Sequence, residues 1–459
     1  MEPSYLGFVW GISMISQDLA TYYLYLLLPT TFPKIINCNN FLEYYTMFVF
    51  INTITSGIFY PVSGWVTDAF HKKSDWIFFL SSIVQLSCIL VLITPYYFPE
   101  IFGNKGWIIM CILWQLGQLC YIQGSNSLWK LIKNNINIKD ENNLTKINHI
   151  GNIGDLTSDI IETSMLTLLL ILSICFGYDS IYFFVIYIFV SSLIINIFLC
   201  LNSVYLIISN RINREKNLQN ELLITDDVFM ENPLTENIPQ IKKNPCKWIC
   251  ASIKIFKEQP MVFHSFWHCI LLNIFTAMVQ YPLSLKEVSI VNVSEEKNLD
   301  NLCGGIIQNL FMCGAITNAF YLLGSVSYRI FMVGTGPSIF YKIHYPICIV
   351  VLLGATIAIW FDLSYWLVLL LISLATIIPY YLTYYDYYLF TERCAGKSYG
   401  FILGLYGMST TVTTAVVQLI YLTNPSFSVM LGINAALLVG NLAYSYYLSH
   451  ISKESSLEE

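Results

Sequence analysis

Charged side chains are scarce in this sequence: Asp, Glu, Lys and Arg make up 11% of its 459 residues, whereas 56% of the residues are hydrophobic. A soluble domain of ordinary composition is about a quarter charged. So few charges cannot cover the water-facing surface of a chain this long, and most of the exterior must therefore face lipid. The sequence also lacks any run of basic residues, which argues against nucleic-acid binding.

The motifs that mark enzymes are missing as well. The sequence contains no Walker motif, no glycine-rich nucleotide loop, no nucleophile elbow and no HExxH. Its 13 cysteines form no CxxC pair and are scattered roughly one per apolar segment, as with Cys88, Cys111 and Cys175. That distribution is typical of small packing residues in helices. We therefore expect neither an enzyme nor a resident cofactor.

Long apolar segments dominate the chain. We identify about twelve segments of ~18–25 residues, each long enough to cross a bilayer as a helix. They cover residues 5–28, 43–66, 75–95, 107–128, 153–176 and 180–208, and then 258–285, 304–328, 343–361, 364–390, 398–422 and 427–449. The polar stretch Asn210–Lys257 separates the two sets and cannot lie in the membrane. The pattern predicts an all-α membrane protein with two six-helix halves, residues 1–209 and 258–459, joined by a central loop at 210–257.

The distribution of basic residues predicts the orientation. Loops after the even-numbered spans are rich in lysine and arginine, and loops after the odd-numbered spans have few. Because positively charged short loops stay on the cytosolic side, the even loops and both termini should be cytosolic. The membrane in which the protein resides is not fixed by this pattern.

The first span carries one ionisable residue, Asp18, at roughly mid-depth. Placing a charged carboxylate at that depth in the bilayer costs on the order of 2.5–3.5 kcal/mol, even on the scale derived from translocon insertion. The side chain should therefore face the protein interior. One interpretation is a cation or proton site. With the amides Gln85, Asn196 and Asn202, Asp18 would form an oxygen-rich cage for a hard cation such as Ca²⁺. The alternative is a structural acid, with each amide making an ordinary hydrogen bond between helices.

The seventh span contains His264 and His268 at positions i and i+4. This spacing places two imidazoles on one helix face, where both can reach a metal. The alternative is packing at the cytosolic end of the helix, because buried histidines are often simply hydrogen-bonded.

The loop between spans 2 and 3 contains Gly64, Asp68, His71, Lys72 and Lys73. A small residue, an acid four positions later and then a basic cluster resembles the loop motif of the major facilitator superfamily. The resemblance implies that Asp68, Lys72 and Lys73 act as a latch that holds one conformational state. The alternative is a simple positive loop on the cytosolic side.

Several short strings, in order along nearly the whole chain, together resemble ferroportin, the iron-exporting branch of that superfamily. The matching places are Asp18 in the first span, Gln85 within Ile83–Leu86, Trp129, Leu144–Asn148, Ile153–Thr157, Gln259–Pro260, Ala315–Thr317 and Asn424–Pro425. The resemblance implies that Asp18 binds the metal. It also implies a cation cage with Gln85 and Asn196, in which Asn202 replaces the family's glutamate.

The sequence departs from that family at other positions. Tyr22 stands where the first helix often has a histidine, Gln280 stands near the family's cysteine in the seventh helix, and Gln418 stands near its histidine in the eleventh. Two glutamines would be hard, weak ligands for Fe²⁺. The resemblance therefore implies the fold more directly than it implies a second metal site.

These observations predict a transporter that exports divalent iron by alternating access. Asp18 would bind the cation, and Tyr22, Gln280 and Gln418 would line the path, with His264 and His268 as further metal ligands. One alternative is a carrier for a small organic solute such as a sugar, nucleoside or amino acid. Another is a receptor on a transporter fold that moves no solute. We expect membrane lipid and a divalent ion as partners, and a monomer.

Overall fold

The computed structural model of the protein describes most of the N-terminal part of the chain and selected parts of the rest. The described residues are 3–31, 41–70, 73–135, 142–176, 181–224, 245–246, 248–250, 253, 263–264, 266–275, 277–278, 315–316, 319–320, 322–323, 326, 340–361, 367, 399–423 and 426–455. The statements below concern these residues.

Nine long helices account for most of the described chain. In order they are α1 (Pro3–Thr31), α2 (Phe41–Ala69), α3 (Ser74–Leu92), α4 (Gly106–Asn135), α5 (Asn142–Phe176), α6 (Ile181–Ile224), α7 (Tyr345–Trp360), α8 (Tyr399–Leu422) and α9 (Phe427–Ser455). Short turns at Thr94–Tyr97, Pro99–Phe102 and Gly103–Lys105 join α3 to α4, and a π-helical turn at Phe340–His344 precedes α7.

The nine helices coincide with nine of the predicted spans, so the all-helical architecture is confirmed where the structure describes it. Residues Phe266–Phe275 of the predicted seventh span are also helical. The predicted eighth and tenth spans lie mostly outside the described residues. The count of twelve helices and the arrangement in two halves therefore stay predictions.

Three helix boundaries differ from the hydropathy pattern. Helix α3 ends at Leu92, because Pro95 follows and opens a separate turn. Helix α5 begins at Asn142, well before the apolar segment, and α6 continues to Ile224. At about 1.5 Å per residue, the 44 residues of α6 extend about 66 Å, which is roughly twice the hydrocarbon thickness of a bilayer. The first part of the stretch predicted as a central loop is thus a helical extension that projects from the membrane.

The outer surface of the helices is apolar. Large aliphatic side chains point outward along them, such as Ile58, Ile194 and Leu201, which are 69%, 61% and 63% exposed. Five described helical segments are long and apolar enough to cross a membrane: Ser74–Leu92, Gly106–Ile132, Val185–Ile212, Gly400–Ile420 and Ser428–Ile451. A water-soluble protein does not expose apolar side chains so extensively. The chain is a multi-pass membrane protein.

Contacts with α1 hold several of the first six long helices together. Helix α1 contacts α4, α5 and α6, and α3 lies against α4 and α6. One apolar cluster joins Leu6, Val9 and Ile15 of α1 to Leu128 of α4 and Leu199 of α6. The rings of Trp10 and Trp129 meet edge to face, with centroids 5.1 Å apart. This cluster fixes the rotation of α1 and therefore the direction in which its polar residues point.

Small residues bring α1 and α5 into close contact. A Cβ atom added at Gly7 or Gly11 would overlap backbone oxygen atoms of Ile150 or Gly154. In a bilayer such small-residue faces allow two helix backbones to approach closely. The contact lies about two to three turns before Asp18 on α1.

A second close contact joins α2 to α8, two helices that are far apart in sequence. Cβ atoms added at Gly64, Gly400 or Gly404 would overlap the backbone of the opposing helix, and one added at Gly407 would overlap the ring of Tyr60. Separately, α7, the π-helical turn before it and α9 pack together. The α2–α8 contact links the first six helices to the C-terminal part of the bundle.

Gly11→Ala should destabilise the protein, because the new methyl group overlaps the Gly154 carbonyl and forces α1 and α5 apart. Overpacking of this kind costs about 1–3 kcal/mol. The matched control is Gly440→Ala in α9, where no atom of the described residues lies within 4 Å of the added carbon. Thermal unfolding in detergent should show a lower midpoint for Gly11→Ala alone. Equal midpoints for the two variants would contradict the close α1–α5 packing.

Candidate functional site

Asp18 of α1 is half-buried and directed towards α5. It lies close enough to Glu162 and Asp159 of α5 for their charges to act on one another. Tyr121 of α4 lies within electrostatic range of Asp18 and of Asp155. The structure therefore surrounds Asp18 with further acids rather than with the predicted amides.

The three acids of α5 share one face of that helix. Asp155, Asp159 and Glu162 follow one another at intervals of four and three residues, and their side chains are 3%, 8% and 8% exposed. Side chains at these intervals lie above one another on a helix. The sequence contained this signal, since intramembrane acids mark functional sites by default, but the predicted site included only Asp18 among the acids of these helices.

Gln85 and Asn196 do come together, with a serine between them. The Ser16 hydroxyl accepts a hydrogen bond from Gln85 Nε2 at 2.8 Å and donates one to Asn196 Oδ1, also at 2.8 Å. Asn196 Nδ2 donates in turn to the backbone oxygen of Ser192. All three side chains are buried. The network ties α1 to α3 and α6.

Ser16 and Asp18 point in opposite directions from α1. Two residues correspond to a rotation of about 200° around a helix axis. The Ser16 face therefore holds Gln85 and Asn196, and the Asp18 face holds the acids of α5. Of the four residues predicted to form one cage, the structure brings together Gln85 and Asn196 and directs Asp18 elsewhere.

Asn202, the fourth residue of that cage, lies farther along α6. Its Oδ1 accepts a hydrogen bond of 2.7 Å from the Tyr5 hydroxyl, and its Nδ2 donates to the backbone oxygen of Phe198. Tyr5 lies near the start of α1, more than three turns from Asp18. Asn202 therefore joins α6 to the beginning of α1, away from the other three residues.

The predicted histidine pair lies in a cluster of tyrosines. His264 Nδ1 and the Tyr444 hydroxyl are 2.7 Å apart. The buried ring of His268 lies against Tyr341 and Tyr345, with centroids 5.3 and 4.3 Å away, and stacks with Tyr444 at 6.2 Å. These contacts correspond to the packing alternative, since they join the seventh-span helix to α7 and α9.

Gln418 is buried in α8, at 1% exposed. Its Oε1 has no hydrogen-bond partner among the residues that the structure describes, and neither does Oδ1 of buried Asn434 in α9. Val417 of α8 and Met430 of α9, close in sequence to these two amides, belong to one apolar cluster with Met278 of the seventh predicted span. Sequence reasoning named Gln418 and missed Asn434. Tyr22 lies in α1 one turn beyond Asp18, and Gln280 lies outside the described residues.

Asp68, at the end of α2, is fully buried and has four partners. Its Oδ1 accepts a hydrogen bond from the backbone N–H of Gly400 at 2.9 Å and lies 3.5 Å from Nζ of Lys130. Its Oδ2 accepts from the backbone N–H of Phe401 and from Trp248 Nε1, both at 3.2 Å. The carboxylate therefore caps the first turn of α8, where the helix dipole and unpaired amides favour an anion.

This arrangement refines the predicted latch. Asp68 does contact another helix end, as the loop motif implied, and the base that pairs with it is Lys130 of α4. The Lys73 side chain is exposed, and Lys72 lies outside the described residues. The signal for Lys130 was its place at the end of the fourth span.

Within the described part of the chain, no group of three or more His, Cys, Asp or Glu side chains is arranged to hold a metal ion. Two regions therefore remain as candidates for function. One is the acid face between α1 and α5, and the other is the contact of Asp68 with α8.

Comparisons with known proteins identify the fold. No family model matches the sequence, and no curated protein matches it. Two solved structures of a bacterial homologue of the iron transporter ferroportin in the outward-facing state, one with soaked iron, are 14% and 15% identical, with TM-scores of 0.55 and 0.56. A variant of the E. coli fucose:proton symporter is 10% identical, with a TM-score of 0.57. The matches cover 98% of this chain and 99–100% of those chains. At these identities the likeness shows the fold alone, which this chain shares with these transporter structures.

Ser16→Ala should destabilise the bundle, because Gln85 and Asn196 would both lose a buried hydrogen bond. Leaving buried polar groups unpaired costs on the order of 2 kcal/mol. Ser87→Ala on α3 is the control, since Ser87 is exposed and bonds only to the backbone oxygen of Ile83 among the contacts described. The comparison is made by thermal unfolding in detergent. A midpoint for Ser16→Ala equal to that of Ser87→Ala would show that the network contributes nothing.

Proposed function

We propose that this protein is a membrane transporter that exports divalent iron by alternating access. The observation that carries the proposal is the acid face between α1 and α5. Asp18 lies there within electrostatic range of Glu162 and Asp159, inside a bundle with the fold of a bacterial ferroportin homologue. A structure of that homologue holds soaked iron. Export is the direction that the sequence resemblance implies.

The physical support is the charge of the site. Carboxylates that lie close together in a medium of low dielectric repel one another, and either a bound proton or a bound cation relieves that repulsion. A divalent cation supplies two charges and suits oxygen ligands. Among the described residues, no group of three His, Cys, Asp or Glu side chains forms a metal cage. Asp18 would therefore bind the ion together with other oxygen ligands.

The contact of Asp68 with α8 supplies the conformational part of the proposal. It joins the ends of α2 and α8 at the side that the lysine and arginine distribution places in the cytosol. While it is formed, the path is closed at that side, and release of the contact would let the ion enter. The two ferroportin-homologue structures are described as outward-facing, the same state that this closure produces. We further propose a monomer with both termini in the cytosol.

A carrier for a small organic solute is the second candidate. The fucose:proton symporter, with its TM-score of 0.57, supports this alternative as strongly as the ferroportin homologue supports iron. The buried Gln418 amide, with an unpaired oxygen, would then bind a hydroxyl or amine of the solute. In that case the acids of α1 and α5 would take up a coupling proton rather than a metal.

Asp18→Asn should abolish Fe²⁺ flux in liposomes containing the purified protein, because it removes a charge that binds the ion while preserving the shape of the side chain. Glu100→Gln is the matched control, since Glu100 is an exposed acid in the turn between α3 and α4. Its flux should equal that of the wild type. Ca²⁺ and a sugar are measured in parallel.

The outcomes separate the two candidate functions. Iron flux that disappears in Asp18→Asn, with normal thermal unfolding, supports a metal path through this acid. Sugar flux without iron flux in the wild type would replace the iron proposal with the organic-solute carrier. Iron flux that survives Asp18→Asn would place the metal path elsewhere.

Asp68→Asn should open the contact between α2 and α8. Hydrogen bonds to a charged acceptor contribute about 1.5–3 kcal/mol each, and the neutral amide provides one acceptor oxygen instead of two. Hydrogen–deuterium exchange read by mass spectrometry should therefore become faster in the peptide that contains Gly400 and Phe401. Lys73→Gln serves as the control, because that exposed lysine lies near the same end of α2. Unchanged exchange in Asp68→Asn would refute the closing role of this carboxylate.

A further inference from the structure

A short piece of the polar central stretch is attached to the closing contact. Residues Trp248–Cys250 are helical, and Trp248 is 4% exposed although Ile249 and Cys250 are exposed. Only the side of this short segment that carries Trp248 is therefore buried. Nothing in the hydropathy pattern distinguished this tryptophan from the rest of the polar stretch.

Trp248 contacts both helices that meet at this point. Its indole Nε1–H donates a hydrogen bond of 3.2 Å to Asp68 Oδ2 of α2. Its ring meets the ring of Phe401 of α8 edge to face, with centroids 5.2 Å apart and planes at 81°. Edge-to-face aromatic pairs stabilise a contact beyond the area that they bury. The side chain thus bridges the junction of α2 and α8.

The three hydrogen bonds and the ion pair of Asp68 divide evenly between the two carboxylate oxygens. Oδ1 has the Gly400 amide and Lys130, and Oδ2 has the Phe401 amide and Trp248. Together with the Phe401 amide on the same oxygen, the bond from Trp248 to Oδ2 holds the rotation of the carboxylate group at which Oδ1 accepts from the amide of Gly400. Loss of the indole donor would release the rotation and weaken the remaining bonds.

We propose that Trp248 is a positioning residue of the closing contact, through which the central segment controls whether α2 and α8 stay together. The inference rests on the closing role of Asp68 proposed above. Displacement of the segment that carries Trp248 would loosen the Asp68 cap on α8. Because coupling between two equilibria is reciprocal, opening of the α2–α8 contact would also release Trp248. An event in the cytosol that displaces the central segment would therefore change the conformation of the bundle.

The test is Trp248→Phe in the full-length protein in lipid nanodiscs. Phenylalanine keeps an aromatic ring against Phe401 and removes the N–H donor together with the five-membered ring of the indole. Loss of a bond to a charged acceptor should speed amide exchange in the peptide containing Gly400 and Phe401 about tenfold. Trp76→Phe is the control, because Trp76 is 52% exposed on α3, and it should leave that peptide unchanged.

A second measurement tests the reciprocal effect. In Asp68→Asn, the peptide containing Trp248 should also exchange faster than in the wild type. Should Trp248→Phe not be recovered folded, Phe401→Leu takes its place, because it removes the ring partner from the α8 side and should likewise expose the Trp248 peptide.

The result that overturns the inference differs from the one that overturns the closing role. Faster exchange at Gly400 and Phe401 in Asp68→Asn, with wild-type exchange in Trp248→Phe, would show that Trp248 only packs beside an intact closing contact. Wild-type exchange in both variants would overturn the closing role of Asp68 together with the inference. Neither outcome depends on which solute the protein carries.

Discussion

The buried carboxylate of Asp68 is the interaction on which the contact between distant parts of the chain depends. A buried charge is tolerated only when it is paired and hydrogen-bonded. Asp68 meets this requirement with the first amides of α8, the Lys130 ammonium and the Trp248 indole. It therefore joins α2, α4, α8 and the central segment at one point. The glycines at positions 64 and 400 make this geometry accessible, since a side chain at either would keep the two backbones apart.

The two faces of α1 have different physical roles. On one face, the Ser16 hydroxyl satisfies the amides of Gln85 and Asn196, and such a closed network fixes the packing of three helices. On the other face, Asp18 lies near two carboxylates whose charges repel its own. A proton or a cation held there would relieve that repulsion. The Ser16 face is satisfied by hydrogen bonds among its own side chains, whereas the Asp18 face is where a cation or a proton is proposed to bind.

Sequence reasoning identified several of the important residues and mistook the grouping of some. Asp68 was assigned to a contact with a neighbouring helix end, and the structure has it at the first turn of α8. His264 and His268 share one helix face, as their spacing required, but that face meets tyrosines. Asp18, Gln85 and Asn196 were placed in one cage because each is polar and intramembrane. Spacing along separate helices carries no information on which residues face one another between them. Asp159 and Glu162 were overlooked although both are acids within a predicted span.

The sequence by itself determined that the chain forms apolar helices that cross a membrane, because backbone polar groups in lipid must be satisfied within each helix. Apolar segment length and the near absence of charge were sufficient for that conclusion. Only the tertiary structure decided the rotation of α1, which sends Ser16 and Asp18 in opposite directions, and the docking of Trp248 on Asp68. Both depend on contacts between residues that are tens to hundreds of positions apart, and such contacts are set by the packing of whole helix faces rather than by any local pattern.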